Sequence, residues 1–517
     1  MKMEQDNARK SRRIAKNTLM LYVRMIFLLL VNVYASRVVL NALGVEDYGI
    51  YNVVGGVVSM FTILSGSMSA AISRFITFEL GSGSPLDRMK KVFSTSITVQ
   101  LVLGAVIVVV AECFGLWFIN SRMNIAPDRM YAANWVYQLS LLAFVINLIS
   151  IPYNATIIAY EKMSAFAYIG IFEGVAKLLI AFLIISAPFD SLIYYAVLMC
   201  VVAILVRSAY SIYCRRHFPE VRFSIDFDKG LFAEMFSFAG WNFIGNGVYI
   251  LNTQGINVLS NIFFGVTVNA ARGVVSQVES AITQFVTNFT TAINPQITKS
   301  YAGGDREYMY ALVCKGAKYS YFMMLFFSVT IILEAETILR IWLKTVPEYA
   351  PVFLRWATAC SLCTVLSNTL VTAMFATGDI RKYQIIVGAV GILVFPLCYM
   401  FFKIGLPPYV SYIVYFTIYA ILLFVRLILI RNMIGMKVSV YMKRVIARIL
   451  PVTALSFLLP IAVMIVMEPG LLRLLITLVV SVLSIAAAIW TMGLEPFERD
   501  FVKDKIVLLI NRLKCRC

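Results

Sequence analysis

Histidine is all but missing from this chain: His217 is the single one among 517 residues. Acidic residues are scarce too, 27 Asp and Glu against 45 Lys and Arg, and charged residues of both signs make up only 14%. These shortages exclude whole classes of function. A histidine metal centre lacks the several ligands it needs, and imidazole acid–base catalysis has only His217, which lies in a charged gap between apolar runs. No apolar run holds paired carboxylates beside a metal-ligating partner, and no gap between runs is long enough for a catalytic outer loop. A membrane polymerase or ligase is disfavoured on these grounds, and the chain is expected not to be an enzyme. The first apolar run does not read as a cleaved leader either: it is too long, contains Arg24 and Arg37, and lacks a small-residue cleavage site.

What fills the chain is apolar sequence, 61% of all residues. A bilayer core about 30 Å thick needs about 20 apolar residues per helical crossing, and about fourteen such runs follow one another. They include 17–41, 48–80, 164–187, 232–261, 268–298 and a last one at 471–492. A closed barrel would show short alternating segments instead. The expected fold class is therefore an all-α polytopic membrane protein with about fourteen transmembrane helices.

The net charge of +18 is distributed by topology. About thirty Lys and Arg fall in the even-numbered gaps and the two tails, about five in the odd-numbered gaps, so the positive-inside rule puts both termini in the cytoplasm. The basic groups include Lys2 to Lys16, Arg88/Lys90/Lys91, Arg215/Arg216/Arg222/Lys229, Lys299/Arg306 and the tail from Arg499 to Arg516. Nucleic acid is not expected as a partner; attraction to anionic lipid headgroups is a secondary effect. Of the nine cysteines, Cys360-x-x-Cys363 lies in an apolar run with no nearby His or acid, so it reads as buried packing. Cys515-x-Cys517 is given no role.

The chain is internally duplicated at a spacing of about 221 residues. Gly44-Val45 recurs as Gly265-Val266, Val53-Val54 as Val274-Val275, and Thr62 as Thr283. Ala71-Ile72-x-x-x-Ile76-Thr77 recurs as Ala292-Ile293-x-x-x-Ile297-Thr298, and Gly83 as Gly304. Six crossings separate the two copies, so both share one membrane orientation and are related by an axis along the membrane normal. The expected organisation is an N-lobe over 1–215, a cytoplasmic connector over 216–230, a C-lobe over 231–432, and two further helices with a basic tail over 438–517. Two pseudo-symmetric six-helix lobes plus two helices is a plan that suits a carrier with its site between the repeats.

Polar residues at membrane depth are costly and tend to face a bundle interior or a wet cavity. In the eighth span Arg272, Ser276, Glu279, Thr283, Thr287, Thr290 and Asn294 follow four-three-four steps along one stripe. The seventh span does the same with Asn242, Asn246, Thr253, Asn257 and Ser260. The second carries Gly55, Thr62, Gly66, Ser69 and Ser73. Tight helix packing competes as an explanation, but it does not require an Arg, a Glu and several Asn, so a hydrated cavity is expected at the seventh and eighth spans. Arg24 lies roughly 12 Å into the first span, where it can face a lumen or snorkel to the headgroups. Glu173 and Lys177 stand at i,i+4, either as a structural pair or as a titrating or ligand-binding one. Arg37, Arg74, Arg207, Arg340 and Arg426 read as interfacial anchors from their places near span ends.

The segment Tyr34-Ala35-Ser36-Arg37-Val38-Val39-Leu40-Asn41-Ala42-Leu43-Gly44-Val45-Glu46-Asp47-Tyr48-Gly49-Ile50-Tyr51 resembles the Arg-x-Leu-Gly-x-x-x-Tyr-Gly-x-Tyr pattern of bacterial polysaccharide flippases. Here one or two extra residues stand between Arg and Leu-Gly. These are the Wzx-type (O-antigen and capsule) members of the multidrug/oligosaccharidyl-lipid/polysaccharide (MOP) exporter superfamily. The Ile341-Trp342-Leu343 to Ala350 segment is similar to an element of their second lobe. The resemblance covers nearly the whole chain. It implies a flippase that moves a polyprenyl-pyrophosphate-linked oligosaccharide from the cytoplasmic to the outer leaflet of the bacterial inner membrane by alternating access. It also implies a cavity lined by the first, second, seventh and eighth helices, and surface polysaccharide polymerase machinery as a partner. Arg24, Lys177 and Arg272 then become the candidates for the pyrophosphate, and the Asn, Thr and Ser stripes for sugar hydroxyls. No cofactor is expected; proton or sodium coupling would fall to Glu173 or Glu279. Peptidoglycan-precursor flippases and multidrug/cation antiporters of the same superfamily stay open as alternatives, as does a non-transporting scaffold for glycan assembly.

Overall fold

The computed structural model describes residues 2–123, 125–221, 228–343, 346–496, 498–500 and 503. Arg222 of the connector, Cys515, Cys517 and most of the basic tail lie outside the described residues. Every regular element among the described residues is a helix. The α-helices of nine residues or more are, in chain order, α1 Lys2–Ser59, α2 Thr62–Gly81, α3 Leu86–Val110, α4 Met130–Ala159, α5 Met163–Leu183, α6 Ser191–His217, α7 Lys229–Ile250, α8 Ile256–Phe264 and α9 Val266–Ala302. They continue as α10 Arg306–Trp342, α11 Ala350–Val365, α12 Asn368–Ala376, α13 Arg381–Gly391, α14 Val394–Lys403, α15 Val410–Ile434, α16 Ala447–Val466 and α17 Leu471–Ala488. Eleven of the described helical stretches are long and apolar enough to cross a membrane. The segments 48–80, 232–261 and 268–298 are largely helical but are not among the eleven; they are the three that carry the polar stripes.

The duplication is visible in the backbone. Gly44 breaks α1 at φ 78°, ψ 171°, and its counterpart Gly265 separates α8 from α9 at φ 80°, ψ −171°. Both lie in a region essentially reserved for glycine. The turns that end the two repeated segments match as well, with Gly83 at φ 68° and Gly304 at φ 77°. The recurring glycines therefore encode one chain reversal used twice.

The chain forms two compact units. The first comprises Met1–Asn246, Thr291–Met309 and Phe375–Gln384, the second Gly247–Thr290, Tyr310–Met374 and Ile385–Cys517. In the first, α1 lies along a face of α5 opened by Gly170 and Gly174: a Cβ at Gly174 would sit 2.7 Å from Leu28 Cδ2. Small residues at this spacing let membrane helices approach closely. The turn that follows Gly44 is tied down by charge. Arg129 donates to Asp47 from Nε (2.9 Å) and Nη2 (2.5 Å), and to Asp190 from Nη1 (2.6 Å). Asp190 also caps α6 by accepting the Leu192 and Ile193 amides.

In the second unit the two C-terminal spans are pinned to α10. Arg473 of α17 donates from Nε and Nη2 to the buried Glu334 carboxylate at 2.7 and 2.9 Å, where α10 departs from helical geometry. At the other end Lys318 donates to Glu498 Oε2 at 2.6 Å and Tyr319 to Oε1 at 2.7 Å.

Candidate functional site

Each unit contains a cavity of its own. That of the second unit measures about 730 Å³, within the range of small-molecule sites. Its floor is α9, whose Arg272, Ser276, Glu279, Thr283 and Thr287 all line it, as the four-three-four spacing requires. The facing wall is a π-turn, Leu251–Gly255, that interrupts the helix between α7 and α8. Such turns insert a residue into the helical ladder and often mark functional sites. Here it brings Asn252, Thr253 and Gln254 to the cavity, with Asn257 one turn on.

Arg272 donates from Nε to Asn257 Oδ1 (2.8 Å) and from Nη1 to Ser411 Oγ (3.1 Å), and its guanidinium lies 4.9 Å from the Tyr412 ring centroid. All three partners are neutral. Among the described residues no carboxylate stands within ion-pair distance of it. Glu279 accepts from Ser361 Oγ at 2.7 Å. Arg426, also on the wall, donates to Ser367 Oγ at 3.1 Å and is buried, so its expected role as an interfacial anchor is corrected. Two arginines and one glutamate supply the charge of the lining, and Tyr249, Tyr412, Tyr415 and Tyr419 its aromatic surface. Cys360 is buried and its thiol faces the Tyr412 carbonyl; Cys363 is free.

The cavity of the first unit is smaller, about 280 Å³, and is lined by Tyr51, Thr62, Asn147, Glu173 and Lys177 among others. Lys177 donates to Glu173 Oε1 at 2.6 Å, so this wall cancels its own charge.

Of the candidate residues, then, Thr253, Asn257, Arg272, Ser276, Glu279, Thr283 and Thr287 come together in one cavity, and Thr62, Glu173 and Lys177 in the other. Arg24, Ser69, Asn242, Asn246, Thr290 and Asn294 line neither. Arg24 lies 4.3 Å from the Phe166 ring centroid, over Gly170, with no hydrogen bond to Nε among the described residues. Asn246 donates to Ser67 Oγ at 2.8 Å, Asn242 accepts from Gln384 at 3.5 Å, and Thr290 Oγ1 donates to the Thr287 carbonyl at 3.0 Å. These bonds belong to packing. Of the other expected anchors, Arg340 is exposed and pairs with Glu336, and Arg37 is exposed. Arg207 lies over Tyr153. Arg74 is instead engaged in the fold, donating to the Ala376 carbonyl at 3.1 Å.

Sequence reasoning missed Asn252, Gln254, Arg426 and the tyrosines. The signal for the last group was present: residues 412, 415, 419 and 426 share one face of α15 at the helical period.

The described residues form a multi-span helical bundle with a polar cavity inside each of its units. The chain belongs to the family described as "Polysaccharide biosynthesis protein", whose profile matches residues 12–301. No curated protein matches it. Among solved structures it is similar to a MATE in the bent conformation, at 14% identity and a TM-score of 0.70, covering 84% of this chain and 97% of that one. It is also similar to a multidrug resistance MATE family transporter of the MOP superfamily in an outward-facing conformation (13% identity, TM-score 0.69, 82% and 96% covered). A third is a MOP superfamily transporter from Pyrococcus furiosus, described by the reverse polarity of its binding pocket (13%, TM-score 0.66, 82% and 96% covered). At these identities the likeness is one of fold.

Proposed function

We propose that this protein is a flippase carrying a polyprenyl-pyrophosphate-linked oligosaccharide from the cytoplasmic to the outer leaflet of the bacterial inner membrane, by alternating access and with both termini cytoplasmic. The observation that supports this most is Arg272: a guanidinium hydrogen-bonded to neutral partners, in a cavity it shares with Arg426, Glu279 and many hydroxyls, amides and tyrosines, so that the lining carries a net positive charge. A cation whose protein partners are neutral keeps its charge for an anionic ligand, and tyrosine faces beside amides suit sugar rings. Membership of a polysaccharide biosynthesis family agrees with this chemistry.

The direction of transport is also favourable. Moving an elementary charge through the membrane potential is worth about 2.3 kcal/mol per 100 mV, so exporting a pyrophosphate with about two negative charges gains roughly twice that before counter-ions are counted. Proton or sodium coupling, where it contributes, is assigned to Glu279, the carboxylate of the larger cavity. Polysaccharide polymerase machinery is the proposed partner on the outer side.

The test is reconstitution of the full chain in proteoliposomes with a fluorescent lipid-linked oligosaccharide. The wild type should move it between leaflets, and Arg272→Ala should lose that activity while its unfolding transition stays in place. Transport of a cationic drug with no glycan movement would instead identify an antiporter. Rates in Glu279→Gln that keep the wild-type pH profile would remove Glu279 from coupling.

A further inference from the structure

Among the described residues Glu161 is alone in being a non-glycine residue at positive φ (57°). It stands in the turn between α4 and α5. The corresponding turn of the second repeat, between α12 and α13, uses Gly378 at φ 85°. Glycine takes this conformation without steric penalty and glutamate does not. A side chain kept there against that preference points to a role for the side chain.

The Glu161 carboxylate is almost wholly buried, with 1% of the side chain exposed. It accepts from Lys299 Nζ at 2.7 Å on one oxygen and from Gln296 Nε2 at 2.6 Å on the other. Both donors belong to the last turns of α9. A first-repeat turn is thereby fastened to a second-repeat helix.

The reciprocal fastening is also present. Arg74, near the end of α2, donates to the Ala376 carbonyl, and its guanidinium fills the space above Gly378. Between the two ties the ends of α2 and α9 meet. A Cβ at Gly81 would lie 2.5 Å from Lys299 Cα and 3.0 Å from Ala302 Cβ, and the Phe78 and Tyr301 rings are 6.3 Å apart. Gly81 and Ala302 are themselves equivalent under the duplication. The charge partition puts these ends on the cytoplasmic side.

We propose that Glu161 is the pin of a cytoplasmic latch: it locks the end of α9 to the α4–α5 turn, Arg74 makes the matching tie from α2 to the α12–α13 turn, and the latch parts each time the cytoplasmic side opens. The two ties differ in kind. Arg74 binds a backbone carbonyl, which any residue supplies. Glu161 binds by a desolvated ion pair that is lost once α9 withdraws and water enters. Glu161 is therefore a positioning residue for the conformational cycle. This goes beyond the substrate assignment and rests on the alternating-access part of the proposed function.

Hydrogen–deuterium exchange on the full chain in nanodiscs tests it. Glu161→Gln and Lys299→Met should each speed exchange at least about threefold at the ends of α2 and α9 and in the α4–α5 turn. Exchange around Gly44, Arg129 and Asp190, and the global unfolding transition, should not move. The charge swap Glu161→Lys with Lys299→Glu should restore part of the protection. If the Glu161 variants do not fold, Lys299→Met combined with Gln296→Leu decides the matter in the same assay. Unchanged exchange at these ends overturns the latch, and so does acceleration spread evenly over the whole unit, which would mark a purely structural pair. A failure of glycan transport would leave this result intact, so the two proposals fail separately.

Discussion

In the first unit Lys177 donates to Glu173 one helical turn away, whereas in the second unit Arg272 spends its hydrogen bonds on Asn257 and Ser411. The backbones of the duplicated segments agree closely, down to the glycine-only dihedrals of Gly44 and Gly265. Their side chains do not. Duplication has kept the chain reversals and released the linings to diverge. One cavity became electrically balanced and small, the other larger and biased toward cations. A substrate with an anionic head meets a reason to bind in only one of them.

The largest effect should come from breaking that asymmetry. Arg272→Ala leaves the anion of the proposed substrate without its hydrogen-bonded cation, a loss of about 2–5 kcal/mol, so glycan transport in proteoliposomes should fall by roughly 30-fold or more. Lys177→Ala removes a cation already neutralised, with both partners about a third exposed, where ion pairs are worth roughly 0–1 kcal/mol. A drop of less than about fivefold is expected. Equal losses in the two variants would show that the cavities act alike and would end the comparison.

A smaller effect should sharpen what the two units share. Beyond the chain neighbours, no atom of the described residues lies within 4 Å of a Cβ built on Gly44 or on Gly265, so the expected cost of an alanine there is conformational. Both Gly44→Ala and Gly265→Ala should lose about 1–3 kcal/mol, read as matched falls in melting temperature. A much larger loss at one site would mean that the two reversals bear different loads.

The sequence carries the helices, the duplication and the α9 stripe because each follows from periodicity or identity along one segment. The structure divides the polar stripe of the seventh span at the π-turn Leu251–Gly255. It shifts the helical phase by one residue, so Asn246 is spent on Ser67 while Thr253 and Asn257 reach the cavity. No 3.6-residue count anticipates that shift. Arg426 was misplaced for another reason: distance from the end of a span was weighed, and the face it shares with Tyr412, Tyr415 and Tyr419 was not. The Arg74 tie joins residues about 300 positions apart. Such pairings are set by how helices stack, and the sequence alone gives them no local signal.

The Arg129 tie of the first unit gives the mildest expected effect, and the duplication offers no copy of it: the position matching Asp47 at the repeat spacing is Val268. Burial alone would raise the Asp190 pKa, but the Ile193 amide, the Arg129 hydrogen bond and the Arg129 charge together hold it below the ordinary carboxylate range. The hydrogen bond to Asp47 raises Arg129, so its charge is secure. A depressed carboxylate adds stability above its unfolded pKa, about 3.9, and loses it as pH falls through the folded value. Acidifying the detergent-solubilised protein from pH 7 to below about 4 should therefore lower the melting temperature of the wild type. Asp190→Asn keeps an acceptor for the cap of α6 but has no charge to titrate, so it should start about 1 kcal/mol less stable and respond less to acid. Asp190→Ala, which removes the cap as well, should start lower still. If Asp190→Asn titrates like the wild type, the acid response comes from elsewhere, and this tie does not distinguish the first unit from the second.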